Sequence, residues 1–399
     1  MVLTMKFAFV SNYINHHQIP FCEAMRSRLG SGFRFIQTEP MEEERRKMGW
    51  GVDLASLPYV SVLYGNGREA LESLIQDSDI ALFGWTDRED LCQKRLEAGK
   101  PVIRESERLY REGQWKAVSP RGLIRKHHDH TRWRDAEAYL LCNGAYVASD
   151  FDIIRAYPGK KYRWGYFPDL RTYTDAQMKE MKKPDESGTV RILWAGRFLP
   201  LKHPEFALDL AAHLKERGAR FHLDLVGGGE MEEALKKRAA DENLSEEVTF
   251  HGFLPPGEVR GWMERAHIFL FTSNHLEGWG AVLNEAMNSG CAVIAGSEAG
   301  AVPFLIEQGV NGLIYNGENE EEFLACADYL FAHPTERHEF AVHAQQTIGT
   351  LWNADTAAER LLSFSDHILT GKEWTPPADG PMSRAEAVRP FPKYRIPDI

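Results

Sequence analysis

The chain has 399 residues, 43% of them apolar and 26% charged, with a net charge of −11. That length exceeds one ordinary core and predicts two domains, while the acidity argues against a general nucleic-acid binder, whose affinity rests on Lys and Arg against phosphate. No run reaches the ~18 apolar residues of a membrane-spanning helix, the N-terminal MVLTMKFAFVSNYINHH meets polar residues too early for a secretory signal, and five scattered cysteines without a C-x-x-C pair read as buried apolar residues in a reducing cytoplasm.

In the first half, β-prone apolar runs at Phe7 to Ser11, Phe33 to Gln37, Tyr59 to Leu63, Ile80 to Gly84 and Val102 to Arg104 predict strands. Helices fill the intervals, among them Phe21 to Leu29 and Glu89 to Ala98. After the first strand comes SNYINHHQ, a polar loop leading into a helix near Pro20. His16 or His17 on that loop can serve as acid or base near neutral pH, or stand as a hydrogen-bonded structural histidine. Two later stretches, RGLIRKHHDHTRWR at 121–134 and KKYRWGYF at 160–167, are basic and aromatic. They read either as solvated loops or as surfaces for anionic lipid headgroups or a phosphorylated acceptor. On the second reading, neutralising Arg121, Arg125 and Arg132 removes membrane or acceptor binding. His127, His128 and His130 cluster with Asp129, but no further spaced pair of ligands accompanies them, so a mobile acceptor-side loop is expected there in preference to a metal.

The charged stretch 174–189, ending in Pro and Gly, predicts a linker. Beyond it, strands at Arg191 to Ala195, His222 to Val226, Val248 to His251, Ile268 to Thr272, Ala292 to Ala295 and Leu313 to Tyr315 alternate with helices through about Leu369. This alternation predicts parallel α/β sheets in both halves. The tail from Lys372 is Pro-rich and reads as extended.

Ligands of such sheets bind outside the carboxyl ends of the strands, so the loops after the predicted strands carry the chemistry. Residues 277–285 read EGWGAVLNE, two carboxylates eight positions apart around a Gly-rich turn. Gly278 and Gly280 let backbone amides turn toward a ligand, and a helix beginning near Ala281 offers free N–H groups to an anion such as a diphosphate. Glu277 then lies beside whatever the phosphate carries, and Glu285, one turn into the helix, can point back to accept bonds from hydroxyls. Phosphate flanked by hydroxyls describes a sugar nucleotide. Arg197 and Lys202 follow the strand at 191–195; in isolation they are an ordinary surface pair, and beside the Glu loop they read as phosphate contacts. Val226-Gly227-Gly228-Gly229 lacks the G-x-G-x-x-G spacing of a dinucleotide site.

The segment resembles the E-x7-E motif of the family 4 glycosyltransferases, retaining enzymes of the GT-B fold. Its neighbours VTFHGFLPPGEV, AHIFLFTSNHLEGWGAVLNEAMNSGCAVIAG and GVNGLIY follow the family's order of elements, and RILWAGRFLPLKHPE at 191–205 is similar to its first strand and phosphate loop. The likeness spans roughly 190 to 330 and reaches the first half only in the order of elements. It implies two Rossmann-like domains facing each other across a cleft, an acceptor-side domain over 1–175, a nucleotide-sugar domain over 190–365, and a tail over 366–399 packing back on the first. It places Gly196, Arg197, Lys202, Gly278, Trp279, Gly280 and Ala281 about the donor, Glu285 at the ribose, Phe253 and Leu254 beside the base, and Glu277 at the donor sugar.

Two departures stand in the first half. The loop after the first strand carries no glycine where relatives have them, and Glu107 stands near the place of a histidine that relatives often carry. His17 and Glu107 are the candidates there for handling a proton or orienting the acceptor. The expected activity is retaining transfer of a sugar from a nucleoside-diphosphate sugar to a glycan or lipid-linked sugar in surface-polysaccharide or glycoconjugate biosynthesis. It is expected without metal or other cofactor, in the cytoplasm, with peripheral contact at the inner membrane face. A sugar-nucleotide epimerase of similar architecture and a catalytically silent sugar-nucleotide-binding subunit remain the alternatives.

Overall fold

The computed structural model describes residues 5–388 and divides into two compact units, 5–169 with 352–388, and 170–351. In the first unit a parallel sheet is formed by β1 (Phe7–Ser11), β2 (Phe33–Gln37), β3 (Val60–Val62), β4 (Ile80–Phe83), β5 (Val102–Ser106), β6 (Ala138–Asn143) and β7 (Lys161–Trp164), in the order β3-β2-β1-β4-β5-β6-β7. Strand β1 is central, Phe7 lying in register with Phe33 on one side and Ile80 on the other. Alternate residues of the strands serve opposite faces. Ala8, Val10, Ile36, Ala81, Val102 and Leu140 enter one core, while Phe9 meets Phe21 and Phe35 edge-on on the other face.

Two of these strands are additional to the five expected. AYLLCN forms β6, buried at every position, and the basic stretch at 160–167 contains β7. Most of that second stretch is therefore no lipid surface: Tyr162, Trp164 and Phe167 are buried, and Lys161 is paired with Asp152. These three aromatic residues are core residues, Tyr166 between them is half-buried, and Lys161 neutralises a carboxylate close by.

The second unit holds β8 (Val190–Ala195), β9 (Phe221–Val226), β10 (Val248–Gly252), β11 (Ile268–Phe271), β12 (Ala292–Gly296) and β13 (Leu313–Tyr315), again parallel, in the order β10-β9-β8-β11-β12-β13. One face packs Ile192, Trp194, Leu223, Leu225, Leu270 and Ile294 against the helices. The six strands coincide with the six expected, because each is a short apolar run bounded by turns.

Both expected borders move. Residues 174–189 are no free linker: Asp175–Met181 is a helix, opened by a Thr174/Gln177 capping box and anchored by buried Met178, and it belongs to the second unit. At the other end the second unit closes at 351 instead of 365. Helix Ala354–Thr370 packs on helix Ile19–Leu29 of the first unit, with Arg28 paired to Asp355 at 2.9 Å. Phe364 meets Tyr139 edge-on at 4.9 Å and lies tilted against Tyr162 at 4.8 Å. The tail then runs along β7, Arg163 N–H donating to Ser383 O (2.8 Å) and Met382 N–H to Arg163 O (2.9 Å), so that a strand edge otherwise open to other chains is covered. Residues 389–399 of the tail lie outside the described residues. All five cysteines are free and buried.

Candidate functional site

In the second unit the strand order reverses at β8, with β9 on one side and β11 on the other. The loops after β8 and β11 therefore diverge and leave a crevice at their carboxyl ends. The loop after β8 is sewn to its neighbours through the backbone. Gly196 N–H donates to Val226 O (3.0 Å), Phe198 N–H to Gly228 O (2.9 Å) and Gly227 N–H to Gly252 O (2.8 Å). Gly227 has φ +135°, and a Cβ there would stand 1.8 Å from Gly196 O, so the run 227–229 is a requirement of close approach. A Cβ on Gly228 would stand 2.8 Å from the ring of Phe253, which is 60% exposed above the glycine run; Leu254 beside it is half-buried.

Across the crevice, Asn274 N–H donates to Leu201 O (2.9 Å) and the Thr272 hydroxyl to Lys202 O (2.6 Å). Trp194 Nε1 in turn donates to Thr272 Oγ1 (2.9 Å). His203, in the left-handed region at φ 45°, pairs with Glu205 at 2.7 Å, and this bond raises its pKa. This lattice holds the Lys202 ammonium on Glu277 Oε2, both side chains only 16% exposed. Residues 75 positions apart in sequence thus share one ion pair. Arg197 is half-buried and makes no side-chain hydrogen bond or ion pair among the described residues, so its guanidinium is open to another anion.

Gly280 precedes helix Ala281–Asn288 in the left-handed region (φ +94°), and a Cβ on it would lie 2.3 Å from the Phe271 ring. Only glycine fits this junction, which aims the first amides of the helix out of the sheet. Gly278 and Ala281 are buried and can meet a ligand through backbone alone. The Trp279 ring is 1% exposed and its Nε1 donates to Asn284 Oδ1 at 2.8 Å, so its side chain serves the core and it too can meet a donor through backbone alone. Glu285, on the same helix, has its carboxyl pushed up to about 7 by desolvation, against the pull of Arg260 and Arg171. No described side chain bonds that carboxyl; the Ser289 hydroxyl donates to the Glu285 backbone O at 2.8 Å.

The first unit repeats the reversal at β1, between β2 and β4. Here the rim is aromatic. His16 and His17 lie 3.9 Å apart by ring centroid and both meet Trp50, at 4.8 and 5.6 Å. His17 is parallel to Tyr166 at 6.2 Å, and Tyr166 Oη donates to Glu107 Oε1 at 2.9 Å. The two candidates of this half, His17 and Glu107, are thus brought to one place by a tyrosine that follows β7. Burial lowers both histidines, His16 to about 4 and His17 well below its usual value, so both are neutral at pH 7. Glu105, one strand position from Glu107's loop, is raised to about 7 by burial although Asn143 Nδ2 donates to it at 2.6 Å. Tyr166, Trp50 and Glu105 carry no motif. The signal for Tyr166 was its place after a strand that sequence reading took for a surface loop.

A polar cavity of about 350 Å³ opens beside this cluster, lined by Asn12, Trp85, Arg88, Glu105, Arg125 and Lys126 among others. His127, His128 and His130 form no mobile loop: helix Pro120–Asp129 carries the first two. His128 Nδ1 turns to Gln93 and Asp129 (2.9 and 3.1 Å), whereas His130 Nδ1 pairs with Tyr157 Oη (2.9 Å). Among the described residues no group of three ligating side chains converges on a metal position.

Residues 176–347, within the second unit, match the family model described as Glycosyl transferases group 1. The D-inositol 3-phosphate glycosyltransferase of Frankia alni is 32% identical over 209 residues, 49% of this chain and 50% of that protein. The amylovoran biosynthesis glycosyltransferase AmsK of Erwinia amylovora is 34% identical over 128 residues, 31% of each. The chain spans about half the length, or less, of these curated relatives. Among solved structures, Anabaena Alr3699/HepE in complex with UDP superposes with a TM-score of 0.66 at 14% identity, covering 90% of this chain and 99% of that one. The lipopolysaccharide outer core galactosyltransferase WaaB, in its apo form, gives 0.64 at 15%, covering 92% and 100%. The group 1 match thus falls on the unit that carries the Lys202–Glu277 pair. The architecture is α/β, two parallel-sheet Rossmann-like domains, with GT-B glycosyltransferases as structural neighbours. No helix among the described residues is long and apolar enough to cross a membrane.

Proposed function

We propose that the protein is a retaining, metal-independent glycosyltransferase of family 4 that moves a sugar from a nucleoside-diphosphate sugar to a glycan or lipid-linked sugar, in the cytoplasm, during surface-polysaccharide or glycoconjugate assembly. The observation that carries this reading is the Lys202–Glu277 pair at the β8/β11 crevice, beside Arg197 and the start of helix Ala281–Asn288. An incoming diphosphate offers Lys202 and Arg197 a second anion, and the two cations with the helix amides then stabilise the charge that grows on the leaving nucleoside diphosphate. Glu277, released from Lys202, turns its carboxylate to the sugar, where it steadies an oxocarbenium-like state or holds ring hydroxyls. Glu285 accepts from the ribose hydroxyls, and Phe253 lies against the base. In the first unit, neutral His17 and Glu107 orient the acceptor hydroxyl and take its proton.

The test is a panel of UDP-, GDP-, ADP- and CMP-sugars followed by thermal shift and then by release of free nucleotide with candidate acceptors. One donor should stabilise the wild type, because binding to the folded state alone raises its stability. The same donor should fail to stabilise Glu285→Ala, and it should be consumed only when acceptor is present, with or without chelator. Turnover of donor alone into an epimer sinks the proposal, and so does binding without any turnover.

A further inference from the structure

Helix Pro120–Asp129 buries no residue, yet it carries Leu123 (45% exposed) and Ile124 (72%). The 3-10 turn Gln114–Val118 just before it adds Trp115 (70%) and Val118 (77%). The two elements pack on each other, a Cβ at Gly122 lying 3.5 Å from Lys116 O. Helical spacing turns Gly122, Lys126 and Asp129 inward, and Lys126 and Asp129 line the polar cavity of this unit. Ile124 then stands at the middle of the outward face, with Leu123 on one flank and Arg121 on the other, while exposed Arg125 stands at the mouth of the cavity that it helps to line. A folded chain does not ordinarily leave four large apolar side chains exposed on two adjoining elements.

Charge says what covers them. Residues 111–128 hold five Lys or Arg against one acid, in a protein whose net charge is −11. Arg121 and Arg125 are exposed, and Arg125 meets only Asp129, at 3.5 Å. A second copy of so acidic a chain has the right sign overall, but exposed apolar side chains beside a basic run suit a surface that is anionic outside and apolar beneath. We propose that the face made by Trp115, Val118, Leu123 and Ile124, flanked by Arg121 and Arg125, seats on an anionic lipid bilayer; Lys116 beside it is already paired with Glu112. The apolar side chains enter the boundary between headgroups and acyl chains, and the basic ones meet the lipid phosphates. Arg132 is outside this set: its Nη2 donates to Gln93 Oε1 (2.5 Å) and its guanidinium lies over Trp133 at 4.5 Å. The docked helix also walls the cavity, so a bilayer-borne acceptor would arrive at the rim already described for this unit.

The test needs neither donor nor acceptor, so it fails or succeeds apart from the transferase reading. Full-length protein is sedimented with vesicles of phosphatidylcholine alone and of phosphatidylcholine mixed with phosphatidylglycerol. Binding is expected to the mixed vesicles alone. Arg121→Gln should weaken it about fivefold, the equivalent of about 1 kcal/mol per basic residue at such a surface. Ile124→Glu combined with Trp115→Ala should abolish it, with circular dichroism and melting temperature unchanged. Wild type that ignores both vesicles, or variants that bind as well as wild type, overturn the inference. So does a wild-type dimer in sedimentation velocity that Ile124→Glu dissociates, for the face would then cover a second copy.

Discussion

The two sheets share one strand order about a central strand, yet their rims hold different chemistry. After β8 and β11 the loops are glycine-rich and charged, and they join Lys202 to Glu277. After β1, β5 and β7 they are aromatic, and they gather His16, His17, Tyr166 and Glu107. Topology supplies a crevice in each unit, and the loops decide what each crevice can bind. On the function proposed above, the first rim suits a diphosphate, which needs backbone amides and fixed cations close by, and the second an acceptor hydroxyl, which needs a neutral base and flat surfaces.

Breaking the charged rim should have the largest effect. Lys202→Ala or Glu277→Gln should lower acceptor-dependent nucleotide release by about 10²–10³-fold, the usual scale for a lost electrostatic contact in a transition state. Initial rates over a range of donor concentrations would show it, and a loss confined to KM would mean that the contact is made equally in ground and transition states. On the aromatic rim, His17→Phe should cost about 10²-fold in turnover, while the donor's thermal shift stays as in wild type. A matching loss of donor binding would erase the distinction between the rims.

Stability sharpens the comparison further. Gly280→Ala places a methyl against Phe271 at positive φ and should cost at least about 1–3 kcal/mol, read as a lower denaturant midpoint. Removing residues 377–399 strips buried Met382 and Ser383 from β7 and should lower the melting temperature of the first unit.

A pH dependence is also expected, zero at low pH and growing toward neutrality. The folded Glu285 carboxyl titrates near 7, above its ordinary 4.5, so the folded state keeps a proton that the unfolded chain has released. Its contribution to stability is full below about pH 4.5 and is lost as the pH rises through 7. Glu285→Gln should therefore gain on wild type between about pH 5 and pH 8, visible as a widening gap in melting temperature. A gap that stays constant would place Glu285 in water.

Much of the second unit was legible in its sequence. Six short apolar runs bounded by turns became its six strands, and EGWGAVLNE marked the junction that Gly280 makes. The first unit was less legible. β6 and β7 escaped because AYLLCN carries no alternation and KYRW is masked by its charges, and Tyr166 went unnoticed with them. Trp279, whose neighbours line the crevice, turned inward to bond Asn284. Such choices depend on partners far along the chain.

Local pattern, then, determined the class of fold, the place of the strand-to-helix loops and the residue types able to meet a phosphate, because periodicity and glycine act within a few residues. Tertiary structure alone decided that Lys202 meets Glu277 across 75 positions, that Tyr166 links His17 with Glu107, and that helix Ala354–Thr370 belongs to the first unit. Those pairings follow from which strands lie side by side and which faces are left to be buried, and both are properties of the assembled sheet.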